Sequence, residues 1–250
     1  MNRRRAFWLC ALAGLLTLTA PGRGDEATTA AALKKLGAHA YTQGNKAGAP
    51  VFYVELTRES AGKMTDADLA LLRELPNLKN LTVSVHITDA GAAEIGRLSN
   101  LKKLILTSPK ITDAGVSELR RLSGLQELNL SYTQTTDSGL DQLRGLTELR
   151  SLALGNTKVT DGGLAALRGL ANLENLHLNG TIVADGGMRE VANLPKLQGL
   201  FLDGAKVTDE GLRELKRSKS LIRLTLISTK TTEAGVKELK AALPKLSVSR

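Results

Sequence analysis

The chain has 250 residues, 42% hydrophobic and 24% charged, which is enough apolar material for one sizeable folded unit and unlike the composition of a disordered chain. Aromatic residues make up only 3%, so the bulk that a core usually draws from Phe, Tyr and Trp must come from leucine. The net charge of +9 includes Arg3, Arg4, Arg5 and Arg23; without them the 34 basic residues become 30 against 25 acidic ones, or +5, too mild a bias for a dedicated nucleic-acid binder.

The first segment reads as a secretory signal. Arg3, Arg4 and Arg5 form a basic start, residues 6–20 carry no charge and are mostly apolar, and small residues follow. These features place cleavage after Gly24 or near Ala20, with Pro21 arguing against a cut directly after Ala20. An uncleaved membrane anchor is the alternative, but the stretch is shorter than the roughly 20 residues that span a bilayer. Cys10, the only cysteine, lies inside the apolar run, so neither lipid attachment nor disulfides nor cysteine-bound metal are expected of the mature chain. Localisation is then secreted, periplasmic or at the cell envelope, with no stable membrane span once the signal is removed.

Residues 25–50 read as an N-terminal cap. The spacing predicts a helix over residues 26–36, with Leu33 and Leu36 on one side and Gly37 as its stop. A strand over residues 38–43 is expected to pair with residues 51–56, joined to them by a turn-rich link over residues 44–50.

From residue 51 to the end the sequence repeats. Leu101, Leu125, Leu149, Leu173, Leu197 and Leu221 are spaced by 24 residues, as are the columns that start at Leu104 and Leu106, giving L-x-x-L-x-L in every unit. A glycine column, Gly91, Gly115, Gly139, Gly163, Gly187, Gly211 and Gly235, keeps the same step. Two looser units begin at Val51 and Leu78, for about eight in all. The alternation in L-x-L places its leucines on one side of a short strand. A Thr-Asp pair such as Thr112-Asp113 then supplies a helix N-cap and a first-turn acid, and Val116, Leu119 and Leu122 mark the inward face of the short helix. No unit buries its apolar face alone, so the units must stack. The chain stops at residues 246–250, half a repeat with no polar cap, which predicts that its last segment folds over the open end or is covered by another molecule.

Units such as Leu125–Glu148 resemble the leucine-rich repeats of secreted bacterial proteins with a T-D-x-G-L signature, and are similar to the ribonuclease-inhibitor-like, cysteine-containing repeat class. The resemblance covers roughly residues 51–246. It implies an α/β right-handed leucine-rich-repeat solenoid, a curved parallel β-sheet with short helices on its convex side, and the L-x-K-L-G helix at residues 33–37 matches a cap found before the first repeat in such proteins. No F-box-like module precedes the repeats, so a ubiquitin-ligase role is not carried over. The position that is Asn or Cys in related repeats is Thr133, Thr157, Thr181 and Thr229 here, whose hydroxyls are expected to bond the turn backbone.

Several constellations have plain structural readings. The acid column Asp66, Asp89, Asp113, Asp137, Asp161, Asp185 and Asp209 has calcium binding as one reading and helix capping as the simpler one. The glycine column is expected to let helix approach strand, and no phosphate-loop motif is present. Arg120, Arg144, Arg168, Lys216 and Lys240 form a basic convex column beside acids at Glu94, Glu118, Glu190, Glu214 and Glu238, which reads as a solvated face. His39, His86 and His177 fall in different units, so no metal site, cofactor or catalytic constellation is expected, nor any enzymatic activity.

The informative surface is the strand face opposite the leucines. One outward column runs Glu55, Thr82, Ile105, Asn129, Ala153, His177, Phe201, Thr225; its neighbours start at Tyr53 and Thr57. Packing does not dictate these residues. The expected protein-binding face comprises Asn129, Tyr132, Asn156, Asn175, His177, Asn179, Phe201 and Asp203. Eight strands about 4.8 Å apart make a sheet on the order of 35–40 Å long, a size that suits a protein or peptide better than a metabolite. The expected function is an extracytoplasmic protein- or peptide-binding scaffold; the alternative is an envelope component that holds glycan or anionic polymer on the basic convex side.

Overall fold

The computed structural model describes residues 26–42, 49–57, 60 and 62–250. The expected signal segment lies outside the described residues, as does most of the link over residues 44–50. Among the described residues no helix is long and apolar enough to cross a membrane.

Helix α1 (Glu26–Lys35) ends where Gly37 adopts φ 81°, a left-handed conformation that glycine takes without strain. Strand β1 (Ala38–Thr42) follows and pairs antiparallel with β2 (Val51–Leu56), as expected. Leu33 is fully buried, and the Ser60 hydroxyl donates to the Gly37 carbonyl at 2.7 Å, tying the cap to the first repeat.

The remaining strands are all parallel: β3 (Asn80–Val83), β4 (Lys103–Leu106), β5 (Glu127–Asn129), β6 (Ser151–Ala153), β7 (Asn175–His177), β8 (Gly199–Phe201), β9 (Arg223–Thr225) and β10 (Ser247–Ser249). They form one sheet in chain order, β1 to β10. The register follows the repeat, so Leu104, Leu128, Leu152, Leu176, Leu200 and Leu224 are direct neighbours. None of them is more than 2% exposed; replacing one by Ala in such a core typically costs about 2–5 kcal/mol. The last segment does not fold over the end. It continues the sheet as β10, with Val248 beside Leu224 and Leu246 buried just before the strand.

The layer behind the sheet consists of short helices, the length that a 24-residue step leaves after a strand and two turns. They are α2 (Asp89–Ile95), α3 (Asp113–Glu118), α4 (Asp137–Asp141), α5 (Met188–Ala192), α6 (Asp209–Leu215) and α7 (Glu233–Ala242), with 3-10 turns including Asp66–Glu74 and Asp161–Gly169. Val116, Leu119 and Leu122 are fully buried, as their spacing predicts.

The Thr-Asp pairs do more than cap. Thr112 Oγ1 accepts from the Ala114 amide at 3.2 Å, an ordinary N-cap. The aspartate reaches forward into the next repeat instead: Asp113 accepts from the Thr136 amide at 2.8 Å and from Thr136 Oγ1 at 2.6 Å. Asp66, Asp89, Asp137, Asp185 and Asp209 make the same pair of bonds. Ala184 breaks the pattern and offers Asp161 only its amide. The acid column stands in the first helical turns as expected and is also an inter-repeat staple.

The same staple explains the glycines. A Cβ at Gly139 would fall inside contact distance of Asp113 Oδ1. The column makes room for the preceding repeat's carboxylate, rather than for the strand layer as expected.

The threonine ladder behaves as expected. Thr133, Thr157, Thr181 and Thr229 each donate a hydroxyl bond to the carbonyl three residues earlier, at 2.6–2.7 Å.

Candidate ligand-binding face

Strand alternation turns every second residue away from the leucine core, and the one-to-one register lines these residues up across the sheet. Asn129, Ala153, His177 and Phe201 are consecutive neighbours on β5, β6, β7 and β8. Ser151 and Asn175 pair in the row beside them.

The structure brings His177 and Phe201 together as a stacked pair, ring centroids 4.0 Å apart and planes 2° from parallel. Burial pushes the His177 imidazole below its usual range, because removing water disfavours the charged form. At neutral pH the pair is an uncharged aromatic plate. Gly199 makes it possible: a Cβ there would lie 2.6 Å from Asn175 Oδ1 and 3.1 Å from Phe201 Cε2.

Three of the expected residues spend their acceptors on backbone. Asn129 Oδ1 accepts from the Ser131 amide at 2.9 Å, Asn179 Oδ1 from the Asp203 amide at 3.1 Å, and Asp203 Oδ1 from the Ile227 amide at 2.9 Å. That leaves the side-chain amide N–H groups of Asn129 and Asn179, both of which line the same depression, as donors.

Tyr132 and Asn156 stand elsewhere. Both have left-handed backbones, φ 64° and 55°, and with Gly180, Gly204 and Ser228 they form a 24-step column at the turn where each strand ends. They are rim residues, and Tyr132 is 62% exposed.

The sequence reading missed the shallow depression beside the aromatic plate, about 260 Å³ and lined among others by Asn129, Ser131, Ser151, Ala153, Gly155 and His177. Its floor is β6 and the turn after it, where the outward positions are Ser151, Ala153 and Gly155. Three successive small outward residues in one repeat are the signal that would have found it. At its edge Lys103 and Glu127 form an ion pair at 2.6 Å.

On the opposite face the basic column is largely paired. Arg168 makes two bonds to Glu190, both 2.6 Å, and Lys216 reaches Glu238 at 3.0 Å, each bridging adjacent repeats. Arg144 pairs with Asp141. The histidines lie apart, and among the described residues no group of three metal-ligating side chains gathers.

Comparison with known proteins fits this geometry. A family model described as Leucine rich repeat matches residues 99–159. An internalin (inlF) of Listeria monocytogenes superposes with a TM-score of 0.60 at 23% identity, covering 73% of this chain and 50% of the internalin. A leucine-rich-repeat protein of Leptospira interrogans superposes with a TM-score of 0.51 at 24% identity, over 72% of this chain and 51% of that one. The chain thus spans about half the length of either structure. Among curated proteins no sequence matches. The fold is an α/β leucine-rich-repeat solenoid, and residues 99–159 carry the match to the Leucine rich repeat model.

Proposed function

We propose that the protein is an extracytoplasmic binding scaffold whose ligand is a protein or peptide held on the open face of the sheet. The observation that carries this reading is the His177–Phe201 plate, two aromatic rings kept half-exposed where packing requires neither. Large flat side chains at the centre of a surface are typical anchors of protein interfaces. Asn129, Asn175, Asn179 and Asp203 surround the plate with polar groups, and Tyr132 and Asn156 extend the face to its rim. The signal-like start supports a location outside the cytoplasm. Anionic polymer on the convex side is a weaker reading, because Arg144, Arg168 and Lys216 already have acidic partners.

The test is capture of envelope proteins with the protein as bait, against His177→Ala and Phe201→Ala variants. Loss of the captured partner, with unchanged circular dichroism, supports the reading. Capture unaffected by either substitution removes this face from consideration.

A further inference from the structure

The row Ile105, Asn129, Ala153, His177, Phe201 has a gap. Four of its members carry side chains long enough to stand above the sheet; Ala153 between them has one methyl. The positions on either side along the same strand, Ser151 and Gly155, are also small. The result is a trench that runs along β6, walled by β5 and β7. The two walls are two strand spacings apart, about 9.6 Å. One face of the His177 ring is covered by Phe201; the other looks across Ala153 into this trench.

We infer that the trench takes one neutral aromatic side chain of the polypeptide ligand, its ring standing edge-on above Ala153 and stacked on His177 as the third member of the His177–Phe201 row. The inference rests on the proposed function and names the group that function requires at this place.

Three features select the occupant. The first is thickness. A planar ring in van der Waals contact sits about 3.5–4 Å from its neighbour, so a ring stacked on His177 comes to lie above β6 and still clears Asn129. The second is charge. Lys103 and Glu127 neutralise each other at the trench edge, so neither ion finds an unpaired partner there; the electron-rich ring faces repel an anion, and a cation, which they attract, is selected against by the hydrogen bonding alone. The third is hydrogen bonding. Asn129 and Asn179 have committed their carbonyl oxygens to the backbone and present amide donors. Those donors suit the main-chain carbonyls of an extended peptide, or a phenol oxygen, and give nothing to a guanidinium, which only donates.

The test uses the protein labelled at alanine methyls and histidine rings, titrated with N-acetyl-tyrosinamide while the Ala153 and His177 resonances are followed. The expected result is a saturable upfield ring-current shift at the His177 ring, together with a saturable shift of the Ala153 methyl below the ring edge, with roughly millimolar affinity for so small a probe. Ala153→Phe, which fills the trench from below without touching the core, should abolish the response at His177, and Ala153→Gly should keep it. Equal or larger shifts with N-acetyl-leucinamide or N-acetyl-argininamide overturn the aromatic selectivity. A response to methyl β-glucoside alone assigns the trench to glycan and overturns the inference. No shift with any probe also overturns it, while partner capture sensitive to Phe201→Ala would leave the proposed function standing.

Discussion

Gly139→Ala tests the inter-repeat staple directly. In an ordinary helix this change gains up to about 1 kcal/mol, because alanine restricts the unfolded chain and favours the helix. Here the new methyl falls inside contact distance of Asp113 Oδ1 and lies 3.1 Å from Asp113 Cγ and Thr135 Cγ2. The carboxylate cannot rotate away without releasing the Thr136 amide and hydroxyl, at 2.8 and 2.6 Å. Each is a hydrogen bond to a charged acceptor, about 1.5–3 kcal/mol, and partial exposure puts both at the low end. Losing two, less the helix gain, leaves a net loss of about 2 kcal/mol, or roughly 4–8 °C in Tm for a chain of this size. Urea unfolding followed by far-UV circular dichroism measures it, alongside Asp113→Ala and the double variant. Once the carboxylate is gone only the Thr135 Cγ2 contact at 3.1 Å still crowds the new methyl, so Gly139→Ala should cost much less in the Asp113→Ala background than in the parent. A Gly139→Ala protein as stable as the parent, or two effects that simply add, would refute the staple.

Other expectations follow from single features. Ala184 is an N-cap without a side-chain acceptor and gives Asp161 one bond instead of two; Ala184→Thr should stabilise by about 1 kcal/mol in the same unfolding assay. Thr181→Val keeps the shape of a buried residue but loses the hydroxyl bond to the Leu178 carbonyl, and should destabilise by about 1 kcal/mol. The His177 imidazole should titrate below its usual midpoint of 6.5, which an NMR titration reads. Since the folded state then binds fewer protons than the unfolded one, stability should fall as pH drops below about 6.5, and Phe201→Ala should move the midpoint back up.

Much of the fold was legible because a solenoid writes its packing into one period. The leucine columns, the inward Val116, Leu119 and Leu122, the stop at Gly37 and the row Asn129, Ala153, His177, Phe201 all follow from rules that act within a repeat or at a constant step of 24. The aromatic plate was legible as an adjacency, since equivalent residues on parallel strands must be neighbours. Its parallel stacking and the depressed basicity of His177 were not, because both depend on how far the rings are desolvated.

What the sequence determined by itself is the repeat and therefore the stacking: leucine at every 24th residue leaves no other way to bury the chain's apolar surface. What only the tertiary structure decided lies between repeats. The partner of Asp113 is 23 residues on, not 24, because the carboxylate leans sideways onto the next helix start, and that lean is what excludes a side chain at Gly139. The trench over Ala153 is likewise a relation among three strands, visible once the walls of β5 and β7 stand beside it. Periodicity fixes which residues recur, whereas the lateral offset between stacked units fixes which of them touch.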